Sequence, residues 1–298
     1  MKYHSHVCYK EAPYFNNGIG MSLAIVFKGT EGVVLAADSR VTLTVMTQGL
    51  PGMPPTPLHA TFDNATKFLR VNGQDFIGTV TYGMGALGQR EPRTAHSFLP
   101  EFEEELQKSG SKRLPVKDFA ERLGQFFLRK WKEQGMPEKV DPAQDMVFVV
   151  GGFNEGEAYG RVYELHIPSS PIPYEWHAGE GQFGVVWGGQ SEFVHRLISG
   201  YDPRVFGLVK ECLKLDDPVT NEVHEYVKSR IQAPIPFQFL PLQDCVNLAI
   251  LLIRATMTIQ TFTVGLRGVG GAIDVAAITR INGLQLIQSK EIIGETLK

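Results

Sequence analysis

The spacing of apolar positions along the chain predicts strands first, then helices, and then both kinds of element again. Residues 22–27 and 32–37 are short, apolar and rich in β-prone side chains, and a turn-like stretch at 28–31 separates them. This pattern predicts a β-hairpin. A second strand pair is predicted over 67–71 and 75–81, on either side of an Asn-Gly turn.

Helical spacing follows. Two sets of apolar side chains each share one face of a predicted helix, first Phe98, Leu99, Phe102 and Leu106, then Phe119, Leu123, Phe126 and Phe127. The second half repeats the order. Strands are predicted at 146–151, 159–166 and 183–187, helices at 192–198 and 245–259, and a closing hairpin at 271–279 and 284–287. The Pro-rich stretch around Pro171 and Pro173 is interpreted as a turn.

This element order favours an α+β fold in which two stacked sheets are covered on both outer sides by helix pairs, a four-layer αββα sandwich. We expect residues 22–298 to form one domain. Residues 44–64 are rich in Pro and Gly and are too long for a simple connection, so they predict an ordered excursion or a mobile flap. Residues 1–21 are expected to be an N-terminal extension or a propeptide, or to lie upstream of the true start.

Charge and composition narrow the possible functions. The net charge is −3, with Lys and Arg scattered, which gives no support to a nucleic-acid or anionic-membrane role. The longest apolar run, 246–253, is short of the roughly 20 residues of a membrane span. The three cysteines are far apart and show no metal-ligand spacing. We therefore expect no metal, no cofactor and a cytoplasmic location.

One motif narrows the interpretation further. Residues 32–40 read Gly-Val-Val-Leu-Ala-Ala-Asp-Ser-Arg, and this hairpin resembles that of the proteasome β-type subunits and their bacterial relatives. In that family of N-terminal-nucleophile (Ntn) hydrolases, the nucleophile is the first residue of the mature chain, sixteen positions before the Asp of the motif. That Asp is Asp38, so the resemblance places the nucleophile at Ser22. The family residue is usually Thr, and Ser keeps its hydroxyl without the methyl that restricts χ1.

The resemblance continues downstream. Residues 64–69 look like the strand that carries the catalytic Lys, which would be Lys67, and residues 82–86 look like the segment with the oxyanion-hole glycine, which would be Gly83. Residues 187–194 resemble the Gly/Ser motif that opens the third helix, which places Ser191 at the supporting serine. The resemblance thus implies a catalytic set of Ser22, Asp38, Lys67, Gly83 and Ser191, and Gly270-Gly271 matches a glycine-led strand near the C-terminus.

The chemistry requires a free Ser22 amine. An α-amine has a reference pKa of about 7.7–8.0 and can accept the proton of its own residue's hydroxyl. Either self-cleavage after Met21, or translation from Met21 followed by its removal, would expose that amine. The sequence departs from the family at 265–269, where an Asp and a Ser that orient the amine are expected and Gly-Leu-Arg-Gly-Val stands instead.

The resemblance implies a hydrolase, a threonine-type endopeptidase with a Ser nucleophile that cleaves polypeptide substrates inside a homo-oligomeric ring, with an unfoldase as a further partner. Two alternatives stay open. One is a catalytically silent ring subunit that keeps residues 1–21, and the other is an Ntn amidase or transpeptidase. Residues 44–64 lie between Asp38 and Lys67 and are expected to border the substrate entrance.

Overall fold

The structure is a computed structural model, and it describes residues 22–46, 57–88, 91–110 and 112–292. It is a mixed α+β structure built from antiparallel sheets, with six α-helices in the described part of the chain. The strands, in chain order, are β1 (Leu23–Lys28), β2 (Val33–Asp38), β3 (Val41–Met46), β4 (Pro57–Phe62), β5 (Phe68–Leu69), β6 (Ile77–Gly83), β7 (Ala86–Leu87), β8 (Arg93–Thr94), β9 (Met146–Gly152), β10 (Arg161–Ile167), β11 (Ser170–Trp176), β12 (Gly184–Gly189), β13 (Ile273–Thr279) and β14 (Gly283–Gln288). The helices are α1 (Leu99–Lys108), α2 (Val116–Glu133), α3 (Glu192–Ile198), α4 (Arg204–Leu213), α5 (Asp217–Ile231) and α6 (Leu242–Phe262).

Two five-stranded sheets form the centre of the molecule. The first has the strand order β12-β1-β2-β13-β14, and the second has the order β11-β10-β9-β6-β5. Neighbouring strands in both sheets are antiparallel. The predicted hairpins β1–β2, β5–β6 and β13–β14 are therefore confirmed, and Gly283 adopts the left-handed φ of 63° that the last turn requires.

Three clusters of buried apolar side chains hold these elements together. The first joins α1 and α2 to the second sheet and contains Phe102, Phe126 and Phe148. The second joins α3 and α6 to the first sheet and contains Ile25 and Ala249 among others. The third takes side chains from both sheets, β1 and β2 on one side and β6 and β9 on the other. Alternate residues of β1 enter the second and third clusters, so this strand is buried on both faces.

One sequence interpretation needs correction. The stretch around Pro171 and Pro173 is strand β11 and not a turn; it lies at the edge of its sheet, where a missing N–H disrupts no ladder. The flanks of the 44–64 segment, residues 44–46 and 57–62, belong to the β3–β4 pair, so this part of the segment is ordered, as one of the two expectations had it. The tip of that segment, 47–56, lies outside the described residues, as does the predicted extension 1–21.

Helices α4 and α5 were not predicted at all. Helix α5 buries none of its residues and α4 buries only Phe206. Both nevertheless carry apolar residues at helical spacing that the sequence interpretation overlooked: Val205, Leu208 and Cys212 in α4, and Val219, Val223 and Val227 in α5. A local signal was nevertheless present, because the Asp216 carboxylate caps the N-terminus of α5 and accepts the Val219 N–H at 2.9 Å.

Helix α6 has 21 residues and, in the described part of the chain, is the one helix long and apolar enough to cross a membrane by length and composition. The sequence predicts this helix over 245–259, six residues shorter than the observed one, and its longest apolar run, 246–253, is interrupted by Asn247. In the fold, α6 packs on β1, β2 and β13, and its side chains belong to the second cluster. A core helix passes the same test of length and composition.

A buried histidine should make this fold less stable at acidic pH. His177 is 7% exposed, and the Nζ of buried Lys28 donates to its carbonyl oxygen at 2.5 Å. Burial, with the Lys28 charge as a second cause, lowers the pKa of His177 to about 4. The unfolded chain therefore binds this proton more tightly than the folded chain between about pH 6.5 and 4. We expect the His177 contribution to the free energy of unfolding to be fully present above pH 6.5. The free energy of unfolding should fall by a few kcal/mol as the pH drops to 4.

Asn tolerates the φ of 51° at this position, so His177→Asn is a suitable replacement. It should reduce the slope of the free energy of unfolding against pH by the equivalent of about one bound proton. Urea unfolding at pH values from 4 to 7 measures it. His195 is also buried with its pKa lowered to about 4, and it contributes a slope that the Asn variant keeps. An unchanged slope in His177→Asn would contradict the prediction.

Candidate active site

Asp38 is the centre of the candidate site. It ends strand β2 with its side chain fully buried, and each of its two carboxylate oxygens accepts two hydrogen bonds. One oxygen accepts the Leu23 N–H at 3.0 Å and the Lys67 ammonium at 2.5 Å. The other accepts the N–H groups of Arg40 and Gly270 at 3.2 and 2.9 Å. A buried carboxylate needs such partners, and Asp38 thereby joins the start of β1 to the strand pair that carries Lys67.

Lys67 lies immediately before β5 and is only 6% exposed. Burial lowers its pKa from the ordinary value; Asp38 opposes this change, and the charges of Lys290 and Arg40 add to it. The Asp38 carboxylate supplies its counter-charge, so Lys67 and Asp38 form a buried ion pair at the site.

Ser22 lies directly before β1 and is 5% exposed. The β1–β12 ladder pairs Leu23 with Gly189, and one step further the Gln190 N–H donates to the Ser22 carbonyl at 2.7 Å. Gly189 has φ +92°, and a Cβ there would lie 2.0 Å from the same carbonyl oxygen. Only glycine allows this approach, so the backbone of Ser22 is held between β12 and the Asp38 carboxylate at Leu23.

Gly83 ends β6 with φ +78°, and a Cβ there would lie 2.2 Å from the carbonyl oxygen of Asp145. The Thr81 N–H donates to the Lys67 carbonyl at 3.0 Å. Since N–H groups two residues apart in a strand point the same way, the Gly83 N–H points to the Lys67 side of β6. This direction is the one that an oxyanion donor beside Lys67 requires.

Ser22, Lys67 and Gly83 lie on one cleft. Its remaining walls come from β6, from the 3₁₀ turn before α1 and from the start of β3, and they are small or apolar for the most part: Val41, Ala65, Thr66, Thr81, Tyr82, Met84, Gly85, Thr94 and Ala95. The structure thus brings four of the five predicted residues together, Ser22, Lys67 and Gly83 at the cleft and Asp38 behind them.

The fifth residue, Ser191, is less directly connected. It is the residue before α3, its hydroxyl does not cap the helix, and its carbonyl accepts the His195 N–H at 2.9 Å. It follows Gln190, which binds Ser22, so the predicted motif does lie at the Ser22 end of β12. Ser191 is not among the residues that line the cleft.

The departure at 265–269 contributes backbone groups in place of an acid and a hydroxyl. The Arg267 carbonyl accepts from the Arg40 guanidinium at 3.1 Å, and Arg40 also pairs with Asp63. A Cβ at Gly270 would lie 2.4 Å from the Cζ of that guanidinium, so a larger residue there would displace Arg40. These contacts hold the Asp38 loop; no side chain of 265–269 lines the cleft.

Sequence reasoning missed a second buried ion pair behind Asp38. The Lys290 ammonium pairs with Asp274, which is 6% exposed, and donates to the Ser39 hydroxyl at 3.3 Å. An acid inside the apolar strand β13 was the available signal, because a buried carboxylate needs a partner. Its partner lies beyond β14, where nothing in the sequence singles it out.

No group of three or more His, Cys, Asp or Glu side chains that could hold a metal ion occurs in the described ranges.

No protein-family model matches this chain, and a search of the curated proteins likewise finds no significant match.

Proposed function

We propose that this protein is an Ntn peptidase of the proteasome type, with Ser22 as nucleophile in a four-layer αββα sandwich. The observation that carries the proposal is the placement of Ser22 at the start of β1, on one cleft with a buried Lys67–Asp38 ion pair and Gly83. A serine inside an ordinary strand would need none of these neighbours.

The packing of the two sheets supports the proposed layer order. One helix cluster covers the outer face of each sheet, and a third cluster lies between them. The first hairpin then places Ser22 and Asp38 at the same end of the first sheet, and Lys67 and Gly83 come from the second. The proposed site thus lies where the two sheets meet.

The proposed reaction uses the free α-amine of Ser22. The amine takes the hydroxyl proton while Oγ attacks a peptide carbonyl carbon, and the carbonyl oxygen becomes an oxyanion facing the Gly83 N–H. The Lys67 charge favours the neutral amine and stabilises the oxyanion. The C–N bond breaks as the amine's proton passes to the leaving group. Water then hydrolyses the Ser22 ester, which restores the hydroxyl and releases a carboxylic acid.

The walls of the cleft are consistent with a substrate side chain of modest size. Val41, Ala65, Met84 and Ala95 offer an apolar surface, and Gly85 adds no side chain. We propose that the ring assembly, an unfoldase partner and the cytoplasmic location accompany this activity.

The retention of residues 1–21 would favour a silent subunit instead. With Met21 still attached, the nitrogen of Ser22 is an amide, which cannot act as a base. The mass of the protein purified from its natural source distinguishes the two, since the peptidase requires a chain that begins at Ser22.

A hydroxyl-directed covalent inhibitor tests the proposal directly. The full chain is folded and then cut through a protease recognition sequence that ends directly before Ser22. We expect one adduct, which peptide mass mapping places on Ser22, and cleavage of model peptides that the adduct abolishes. An adduct elsewhere, or none while the fold is intact, would contradict the proposal. Adding an amine acceptor to the assay separates hydrolysis from acyl transfer, because only transfer produces the new amide.

A further inference from the structure

Gln190 has a buried polar atom that the proposed reaction has not yet used. Its side-chain oxygen Oε1 is buried and makes no hydrogen bond within the described part of the chain. A buried amide oxygen left without a donor is costly, so such an atom in a structured site calls for a donor that arrives later.

The position of Gln190 indicates that donor. Its N–H binds the carbonyl of Ser22 at 2.7 Å, at the end of the β1–β12 ladder. The registered pairs of the ladder end at Leu23 and Gly189, and Gln190 is the next residue of the chain. Its backbone is therefore hydrogen-bonded to the residue whose nitrogen becomes the amine.

A neighbouring residue orients the amide. The Nε2 group of Gln190 donates to the Glu192 carboxylate at 3.5 Å. Since a carboxylate accepts and does not donate, this contact assigns the NH₂ group to Glu192 and leaves Oε1 as the free acceptor.

We infer that Gln190 is a positioning residue, whose Oε1 accepts a hydrogen bond from the α-amino group of Ser22 once residues 1–21 are removed. The inference rests on the proposed function. Removing Met21 converts an amide N–H into an amine with two or three N–H donors. This contact from Gln190 would also account for the absent acid and hydroxyl at 265–269, because the neutral amide after β12 would hold the amine in their place.

A neutral acceptor has a chemical advantage over a carboxylate here. The charged groups beside Ser22 are Asp38 and Lys67, which are paired with each other, and Glu192 lies on the far side of the amide. A further carboxylate next to the amine would stabilise its protonated form, which cannot act as the base.

Two variants test the inference in the full chain, folded and then cut before Ser22. In Gln190→Glu we expect the pKa of the Ser22 amine to rise by about one unit, moving the acid limb of kcat/KM by the same amount. Above that limb the activity should return to the wild-type level. In Gln190→Leu, kcat should fall about 10-fold or more at every pH with KM little changed, because the base is no longer oriented.

Gln285→Glu is the matched control, since it adds the same charge on the exposed edge strand β14. Chemical-shift titration of Ser22 by NMR gives the amine pKa directly, so the inference remains testable in a protein without peptidase activity. An amine pKa in Gln190→Glu equal to that in Gln285→Glu would overturn it, as would a wild-type kcat in Gln190→Leu. If the wild-type protein has no peptidase activity but the Ser22 amine pKa is shifted in Gln190→Glu, the proposed peptidase function would be rejected and the contact between Gln190 and the amine would be supported.

Discussion

A Ser22→Ala variant that begins at residue 22 should lose peptidase activity by at least about 1,000-fold while keeping its fold. The alanine retains the α-amine, the Lys67–Asp38 ion pair and the Gly83 donor, so only the nucleophilic oxygen is absent. Rates of fluorogenic peptide cleavage by equal concentrations of folded variant and wild type provide the measurement.

Two matched variants show that the loss belongs to the hydroxyl. Ser22→Thr keeps the nucleophile and adds a methyl that restricts χ1, so it should retain activity within about 10-fold. Ser229→Ala removes a serine hydroxyl on the exposed helix α5, where it donates only to the Tyr226 carbonyl, and should change nothing. A Ser22→Ala variant as active as Ser229→Ala would mean that another residue attacks the substrate.

Much of this site could be predicted because it depends on short sequence distances. Ser22 and Asp38 belong to one hairpin, and a hairpin's register fixes which residues meet at its end. Lys67 meets Asp38 across the two sheets, which only the family resemblance suggested. Gln190 was missed because its partner Ser22 is distant along the chain. Lys290 is only 16 residues from Asp274, but it lies beyond β14, where no motif marks it.

The predicted fold failed where local patterns and tertiary context disagree. Pro171 and Pro173 indicate a turn by propensity, yet they occupy a sheet edge that tolerates them. Helices α4 and α5 bury almost none of their residues, and the apolar residues that they carry at helical spacing were overlooked in the sequence. The strands β1, β2 and β9, which are buried along their whole length and apolar except for Lys28 and Asp38 at two of their ends, were the easiest to predict.

Asp38→Asn should lower the free energy of unfolding by about 3–5 kcal/mol, the cost of breaking a buried ion pair by removing one charge. Each carboxylate oxygen of Asp38 accepts two hydrogen bonds, whereas an amide offers one oxygen and an NH₂ that would face donors. Asp63→Asn is the control, because it breaks the Arg40 pair at a side chain that is 46% exposed and should cost no more than about 1 kcal/mol. Urea unfolding of both variants at pH 7 compares them.

The pH dependence of Asp38→Asn separates a lost charge from lost packing. Without its carboxylate, the buried Lys67 ammonium has no counter-charge, so its pKa falls further below the value in the unfolded chain. The unfolded state then binds that proton more tightly, and the variant is least stable at low pH and recovers as the pH rises toward the ordinary lysine value. A cost that is the same at pH 6 and pH 9 would attribute the destabilisation to packing alone. A cost equal to that of Asp63→Asn would show that Asp38 does not hold the start of β1 to Lys67.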